Sequence, residues 1–501
     1  MSVMNMNKKF ILLALSVALC AAGCSDSTES AQEQKEHTRA GAHEYGSLVE
    51  IGSGSLIDPD EVVDSLYGGK LANLDQNPYP ALRNVMTVIR PYLKQSFTKN
   101  IGVTDEVFRN EVGEGSNGKR QWQIETYPFT YRSKSLRGED VILSGRVSFP
   151  KSTIEGTPHQ VQALTLNMHH AIPNPAMLPS RVIDMWNLRI FQNSAVIQPD
   201  GQGYGVDLDK DFYCSTMGHA LAIQMKDCAM AALEVMRQHG VTLAEDGYSI
   251  GTACSLSSCE PLAFAKWYET EAPESFRNAI RLKAIYTGFG PTDPVRTLKY
   301  LSSHPTFNAA LSKFLICSLQ AFSSEQLGGY QPSDFASNVL LNTMVEYDGR
   351  QMTYFEEEGR YMANLLGTED WPNPTKLSEI LAADMLTADG KMDESSPKTK
   401  AMLDALRKEN DLSNWNPSLP VYIMHSKQDD RIPWEHAYQC YQELSRWGSN
   451  RNVHFVTTEL PAVVGGIMQL ADMGLGHVLP IMLNFLPAYL EEDPGGAIEG
   501  K

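Results

Sequence analysis

Beyond its first two dozen residues the chain has no apolar run approaching the roughly 20 residues a membrane-spanning helix needs. Basic residues are also scarce. Lys and Arg number 42 against 60 Asp and Glu, for a net charge of −18 and a pI near 5.1. Such a surface lacks the clustered positive charge that nucleic acid or anionic lipid would require, so neither is expected as the main partner. No internal repeat is visible, which argues against the large propeller-bearing peptidases. Cysteines number 8 in 501 residues and follow no zinc-ligand spacing, so neither a metal nor another cofactor is expected.

What is present begins with a targeting segment. Lys8-Lys9 forms a short basic region, and Phe10–Ala18 is an apolar run too short to span a bilayer. Small residues follow, Ala21-Ala22-Gly23, and then Cys24. This resembles the lipobox of bacterial lipoproteins, in which the cysteine is acylated and becomes the first residue of the mature chain. The resemblance implies a signal peptide over 1–23 and an anchor of palmitate-type chains at Cys24. It also implies a place in the bacterial cell envelope, on a periplasmic or surface-facing membrane leaflet. A plain secretory signal is the alternative, since Ala21 stands where a lipobox usually has Leu. Two or more acyl chains anchor stably, at about 0.8 kcal/mol per buried CH₂. Export implies an oxidising compartment. The pairing of Cys214, Cys228, Cys254, Cys259, Cys317 and Cys440 is left open, and Cys317, inside KFLICSL, reads as a core residue.

Residues 24–45 read as a disordered polar tether. Residues 46–120 read as an N-terminal extension with a helical pattern at Ala81–Tyr92. Gln121–Tyr131 and Asp140–Phe149 alternate apolar and polar residues around a turn, a hairpin signature. Strands are expected at Gln160–Asn167, Asn193–Gln198, Leu282–Tyr286, Leu419–His425 and Asn452–Thr457. Helices are expected at Arg181–Gln192, Gly218–His239, Trp434–Trp447 and Val478–Glu491. Strands alternating with helices predict an α/β fold, a mostly parallel sheet with helices on both faces. Its core would come in two parts, 121–290 and 412–495, separated by a helix-rich cap insertion over 291–411.

One stretch, Gly247–Glu269, reads as strand, sharp turn and helix, the arrangement that exposes a nucleophilic serine in one large class of hydrolases. It offers two serines. Gly247-Tyr248-Ser249-Ile250-Gly251 matches Gly-x-Ser-x-Gly literally, but Glu245 and Asp246 precede it where a buried strand belongs. Moving six residues on improves the fit. Tyr248–Ala253 becomes the strand, Ser255 stands in the turn, and Pro261 falls in the first turns of the helix, where proline costs little. The turn brings strand and helix backbones close, so the residues two before and two after the serine must be small. Ala253 and Ser257 are. Ser255 is therefore preferred over Ser249, with a chain in which neither is a nucleophile as the remaining possibility.

Over about Gln121–Glu491 the chain resembles the α/β-hydrolase family, in particular a lipase- and esterase-like branch of secreted bacterial hydrolases. Gly251–Ser258 aligns with the family's strand and Gly-x-Ser-x-Gly-Gly elbow, with Ser257 and Ser258 in place of both glycines after the nucleophile. Pro420–Pro433, PVYIMHSKQDDRIP, resembles the family's strand, loop and Asp-x-x-Val/Ile-Pro pattern, which selects Asp429 as the acid, with Asp430 as the alternative. Gly474-Leu475-Gly476-His477 matches the family's position for the base. The resemblance implies that Ser255 attacks an acyl carbonyl while His477 takes its proton and Asp429 orients the imidazole, and that water then hydrolyses the acyl-enzyme. Oxyanion donors would be the backbone N–H of Leu256 and one near His170, where His169-His170 aligns with the family's His-Gly. A packed loop or, more remotely, a zinc pair are other readings of those two histidines. Pro199–Gly205 resembles the family's structural Asp-x-x-Gly-x-Gly loop. The expected activity is cleavage of a carboxylic ester in a small-molecule or acylated substrate. A peptidase on the same fold and a catalytically inactive binding lipoprotein are the alternatives, and the sequence leaves the oligomeric state open.

Overall fold

A computed structural model of the chain describes residues 45–57, 122–152, 158–168, 178–181, 193–207, 215–303, 319–345, 376–429, 432–446, 451–458 and 489–492. A single eleven-stranded sheet organises them. The edge strands β1 (Leu48–Ile51) and β2 (Ser55–Ile57) both pair with β3 (Trp122–Lys134). They are four and three residues long, too short to show a period in the sequence. β3 and β4 (Asp140–Ser152) form the expected hairpin, paired from Trp122↔Ser152 to Lys134↔Asp140.

The parallel core follows. β5 (His159–Asn167) lies between β6 (Ser194–Pro199) and β7 (Val241–Cys254). β8 (Leu282–Gly288), β9 (Val421–Ser426) and β10 (Val453–Thr458) extend it in parallel. β6 is buried along its whole length, as a strand covered on both faces should be. β11 (Tyr489–Glu492) closes the far edge antiparallel to β10, from Phe455↔Glu492 to Thr458↔Tyr489. The expected last helix, Val478–Glu491, is therefore corrected at its end: Tyr489–Glu491 complete the ladder of an otherwise open strand. Its other residues lie outside the described set.

Helix α1 (Gly218–Gln238) shows why the sheet faces are covered. Leu221, Met225, Cys228, Ala232, Val235 and Met236 recur at three- and four-residue steps and are buried. Ala222, Ala229 and Ala231 keep its axis close to the sheet. Each large apolar side chain buried this way contributes roughly 1.5–3 kcal/mol. Helices α2 (Glu260–Thr270) and α3 (Glu274–Ile280) follow β7, and Phe264, Trp267, Tyr268 and Phe276 form an aromatic cluster in the same core.

Between β8 and β9 the described residues hold α4 (Pro294–Ser303), α5 (Asn338–Val345), α6 (Pro397–Glu409) and several 3₁₀ turns, with only two isolated β-bridges. They bury a second apolar cluster that includes Leu298, Phe322, Phe335, Met385 and Met402. Helix α7 (Trp434–Ser445) follows β9 and packs Tyr438 and Tyr441 on Phe455 of β10. Among the described residues no helix is long and apolar enough to cross a membrane.

Candidate active site

The sheet sets the level of the site. Register places Cys254 opposite Gly288, and Gly288 opposite Met424, so β7, β8 and β9 end side by side. Neighbouring strands stand about 4.8 Å apart, so the ends of β7 and β9 are separated by about 10 Å. Ser255 follows the first end and Asp429 the loop after the other.

At Ser255 the backbone turns sharply. Cys254 is still extended at φ −142°, ψ 173°, whereas Ser255 has φ +59°. A non-glycine residue in the left-handed region costs of order 1–3 kcal/mol and persists only where its surroundings fix it. A 3₁₀ turn over Ser255–Ser257 leads into α2, with Pro261 in its first turn as expected. Ser255 is exposed although Ala253, Cys254, Ser257 and Ser258 are buried. Leu256 is half-buried and packs against the second apolar cluster.

Ser249 has no comparable position. It lies inside β7, fully buried, and its hydroxyl has no hydrogen-bond partner among the described residues. Contrary to the expectation that a buried strand would exclude them, Glu245 and Asp246 do belong to β7, within the register shift between Leu243 (opposite Val161) and Tyr248 (opposite Ala163), where both are exposed. The Arg281 guanidinium donates to the carbonyls of Ala244 and Glu245 at this irregularity.

Neither of the two thiols beside this turn is poised to act as a nucleophile. Burial pushes the Cys254 thiol up to about 12, so it stays protonated. Cys259 is buried and donates to the Ser215 carbonyl at 3.0 Å. Cys228, Cys254, Cys259 and Cys440 are all buried, while Cys214 and Cys317 lie outside the described residues.

Asp429 sits in a tight loop. Its backbone N–H donates to Ser426 O at 3.2 Å, and its Oδ1 accepts from the Ile432 N–H at 3.0 Å. Its side chain is 6% exposed, and Oδ2 lies 3.4 Å from Nε2 of the fully buried His425. That Nε2 is also 2.8 Å from the Ile432 carbonyl, which can only accept, so the Nε2–H donates to it. His425 stood in the quoted motif, yet nothing in the sequence alone gave it a role. The loop's hydrogen bonds give it one.

The remaining expected site residues, His477, His170 and Cys24, lie outside the described residues, as does Asp430. The end of β5, just before His169-His170, lies beside β7: Met168 N–H donates to Thr252 O at 2.9 Å, and Thr252 Oγ1 donates to Asn167 Oδ1 at 3.2 Å. In the Pro199–Gly205 loop, Asp200 accepts from Ser144 Oγ at 2.6 Å and from the Ser180 N–H at 2.8 Å. That loop therefore ties β4 to β6, a structural part. A cavity of about 820 Å³ lies on the flank among α4, α6 and α7, lined by Arg296, Lys299, Arg407 and Cys440 among others. It contains neither Ser255 nor Asp429, and Arg296, Lys299 and Arg407 already meet carboxylates of Glu443, Glu394 and Asp404.

No family model matches the sequence, and no curated protein does. Solved structures match in fold. A ligand-bound form of LipA, a rice cell wall degrading esterase from Xanthomonas oryzae, is similar at 14% identity and a TM-score of 0.54, over 89% of this chain and 99% of that one. A second LipA structure is similar at 15% identity and a TM-score of 0.53, over 74% of this chain and 93% of that one. A Legionella pneumophila protein with a provisional description as a hydrolase shares 15% identity at a TM-score of 0.52, over 72% of this chain and 90% of that one. The chain has the α/β-hydrolase fold. In this fold the end of β7 leads into the turn at Ser255–Ser257, and the β9–α7 loop carries Asp429.

Proposed function

We propose that this α/β-hydrolase-fold protein cleaves carboxylic esters with Ser255 as nucleophile, Asp429 as acid and His477 as base. The observation that carries the reading is the Ser255 backbone, left-handed at φ +59° and exposed at the end of a buried parallel strand. Asn193, Arg281, Phe289 and Asn414 also have positive φ, but Ser255 alone among these five is a serine, and a strained, exposed serine at the end of a buried strand is what a nucleophile elbow demands. Asp429, desolvated and held by the Ile432 N–H, stands ready to orient an imidazole placed between the two strand ends. His477 would remove the Ser255 proton as Oγ attacks the carbonyl carbon, and would return it to the leaving alcohol. Water would then attack the acyl-enzyme by the same route in reverse. The N–H of Leu256, and one near His170, would receive the oxyanion. Ester cleavage by LipA of the same fold favours an ester over a peptide bond.

The N-terminal pattern ending at Cys24 supports a lipid anchor and a place in the bacterial envelope, with an acylated or small ester as substrate. The decisive experiment is labelling with a fluorophosphonate probe and mapping of the modified peptide. Modification of Ser255, lost in Ser255→Ala and kept in Ser249→Ala, is the expected result. Labelling that survives Ser255→Ala would refute the assignment.

A further inference from the structure

Resting on Ser255 as the nucleophile, we propose that Ser258 and Thr287 are positioning residues. Together they form a hydroxyl clasp that holds the elbow in its strained conformation and takes the place of the glycine pair expected after the nucleophile.

A glycine pair lets the helix backbone approach the neighbouring strand, because it has no Cβ. Here Ser257 and Ser258 occupy those positions and both are fully buried. The approach is kept by moving the glycine across the gap. A Cβ on Gly290, just past β8, would lie 1.7 Å from the Ser255 carbonyl oxygen and 2.6 Å from Ser258 Oγ. Gly290 thus clears the space that Ser258 fills.

What fills it makes directed bonds. Ser258 Oγ is 2.6 Å from the Ser255 carbonyl and 2.7 Å from the Gly288 carbonyl, with its one proton shared between them. The Ser258 N–H donates to the same Ser255 carbonyl at 3.1 Å. Thr287 Oγ1, also buried, donates back to the Ser258 carbonyl at 2.6 Å. The Ser255 carbonyl belongs to the peptide whose N–H is that of Leu256, the expected oxyanion donor. Holding that carbonyl against the end of β8 therefore fixes the plane of the peptide that must meet the oxyanion. It also fixes the backbone that aims Ser255 Oγ. A glycine at 258 could supply the close approach but neither side-chain bond.

The clasp sets geometry for attack and makes no contact with a bound substrate, so its loss should lower the maximal rate and leave probe affinity alone. The test compares wild type, Ser258→Ala, Ser258→Thr, Thr287→Val and Ser255→Ala in fluorophosphonate labelling over a range of probe concentrations. Probe capture forms the Oγ–P bond, expels fluoride and passes the serine proton to the base. Removing one net hydrogen bond corresponds to about a tenfold effect, so Ser258→Ala should slow maximal labelling about tenfold at an unchanged half-saturating concentration. Ser258→Thr, which keeps the hydroxyl, should recover most of it. Thr287→Val, nearly isosteric, should slow it severalfold. Wild-type rates in Ser258→Ala, equal losses in Ser258→Ala and Ser258→Thr, or a change confined to half-saturation would each overturn the clasp. If Ser258→Ala does not fold, Thr287→Val decides, and a wild-type rate there overturns it. Labelling that persists in Ser255→Ala is a separate failure, that of the nucleophile assignment itself.

Discussion

Nε2 of His425 lies 3.4 Å from Asp429 Oδ2 and 2.8 Å from the Ile432 carbonyl, so one buried ring joins the acid to the far side of its own loop. The Phe289 ring lies at 5.9 Å from the fully buried His425 ring, tilted against it. His425→Phe would keep the ring and strand a buried carbonyl, at a cost of about 1–3 kcal/mol. We expect a lower melting temperature and about a tenfold lower kcat on a p-nitrophenyl ester, with KM within twofold. A kcat equal to wild type would mean that the loop holds Asp429 without help from the ring.

Asp429→Asn should separate charge from shape. The amide oxygen can still accept from the Ile432 N–H, so stability should change little. The imidazolium formed during attack would lose its counter-charge and its tautomer control, and kcat should fall by about 10³-fold or more. Asp430→Asn is the control, because the sequence leaves that neighbour open as the acid. If Asp430→Asn is the variant that loses activity and Asp429→Asn is not, the acid has been assigned to the wrong residue.

Ser249→Ala addresses the literal motif. The native hydroxyl is buried without a partner among the described residues, and such a group costs about 1–3 kcal/mol of desolvation. Its removal should leave activity within twofold and leave the urea midpoint unchanged or slightly higher. A large loss of labelling would point to a role that its place inside β7 does not suggest.

The parallel strands were legible because their apolar runs are bounded by turns, and α1 because its apolar residues keep a helical step over 21 residues. Choosing Ser255 over Ser249 from sequence rested on where a strand could end and where Pro261 could sit. The positive φ at Ser255 supports proposing it as the nucleophile. β1 and β2, at four and three residues, have no measurable period, and Tyr489–Glu491 of β11 read as the tail of a helix. The clasp was not legible either. Ser258 and Gly288 are 30 residues apart, and only the β7–β8 register brings them together. In the sequence, Ser257 and Ser258 are simply two missing glycines. In the fold, the missing glycine is Gly290.

Stability should fall with pH on the α7 side of the acid loop. His436 lies in the first turn of α7, with its ring edge-on to Tyr300 at 5.2 Å and its Nδ1 buried without a partner among the described residues. Burial, with the nearby Arg296 guanidinium and then His425, brings its pKa down from 6.5 to about 4. Below pH 6.5 the unfolded chain takes up a proton at this position that the folded chain refuses. Bound protons then favour the unfolded state, so this contribution to stability is whole above pH 6.5 and drains away as pH falls toward about 4. His436→Gln has no such proton to refuse. Urea midpoints of wild type and His436→Gln, measured at pH 7.5 and pH 5, should therefore show the larger acid loss in wild type. Equal losses in the two proteins would mean that His436 takes its proton in the folded state as readily as in the unfolded one.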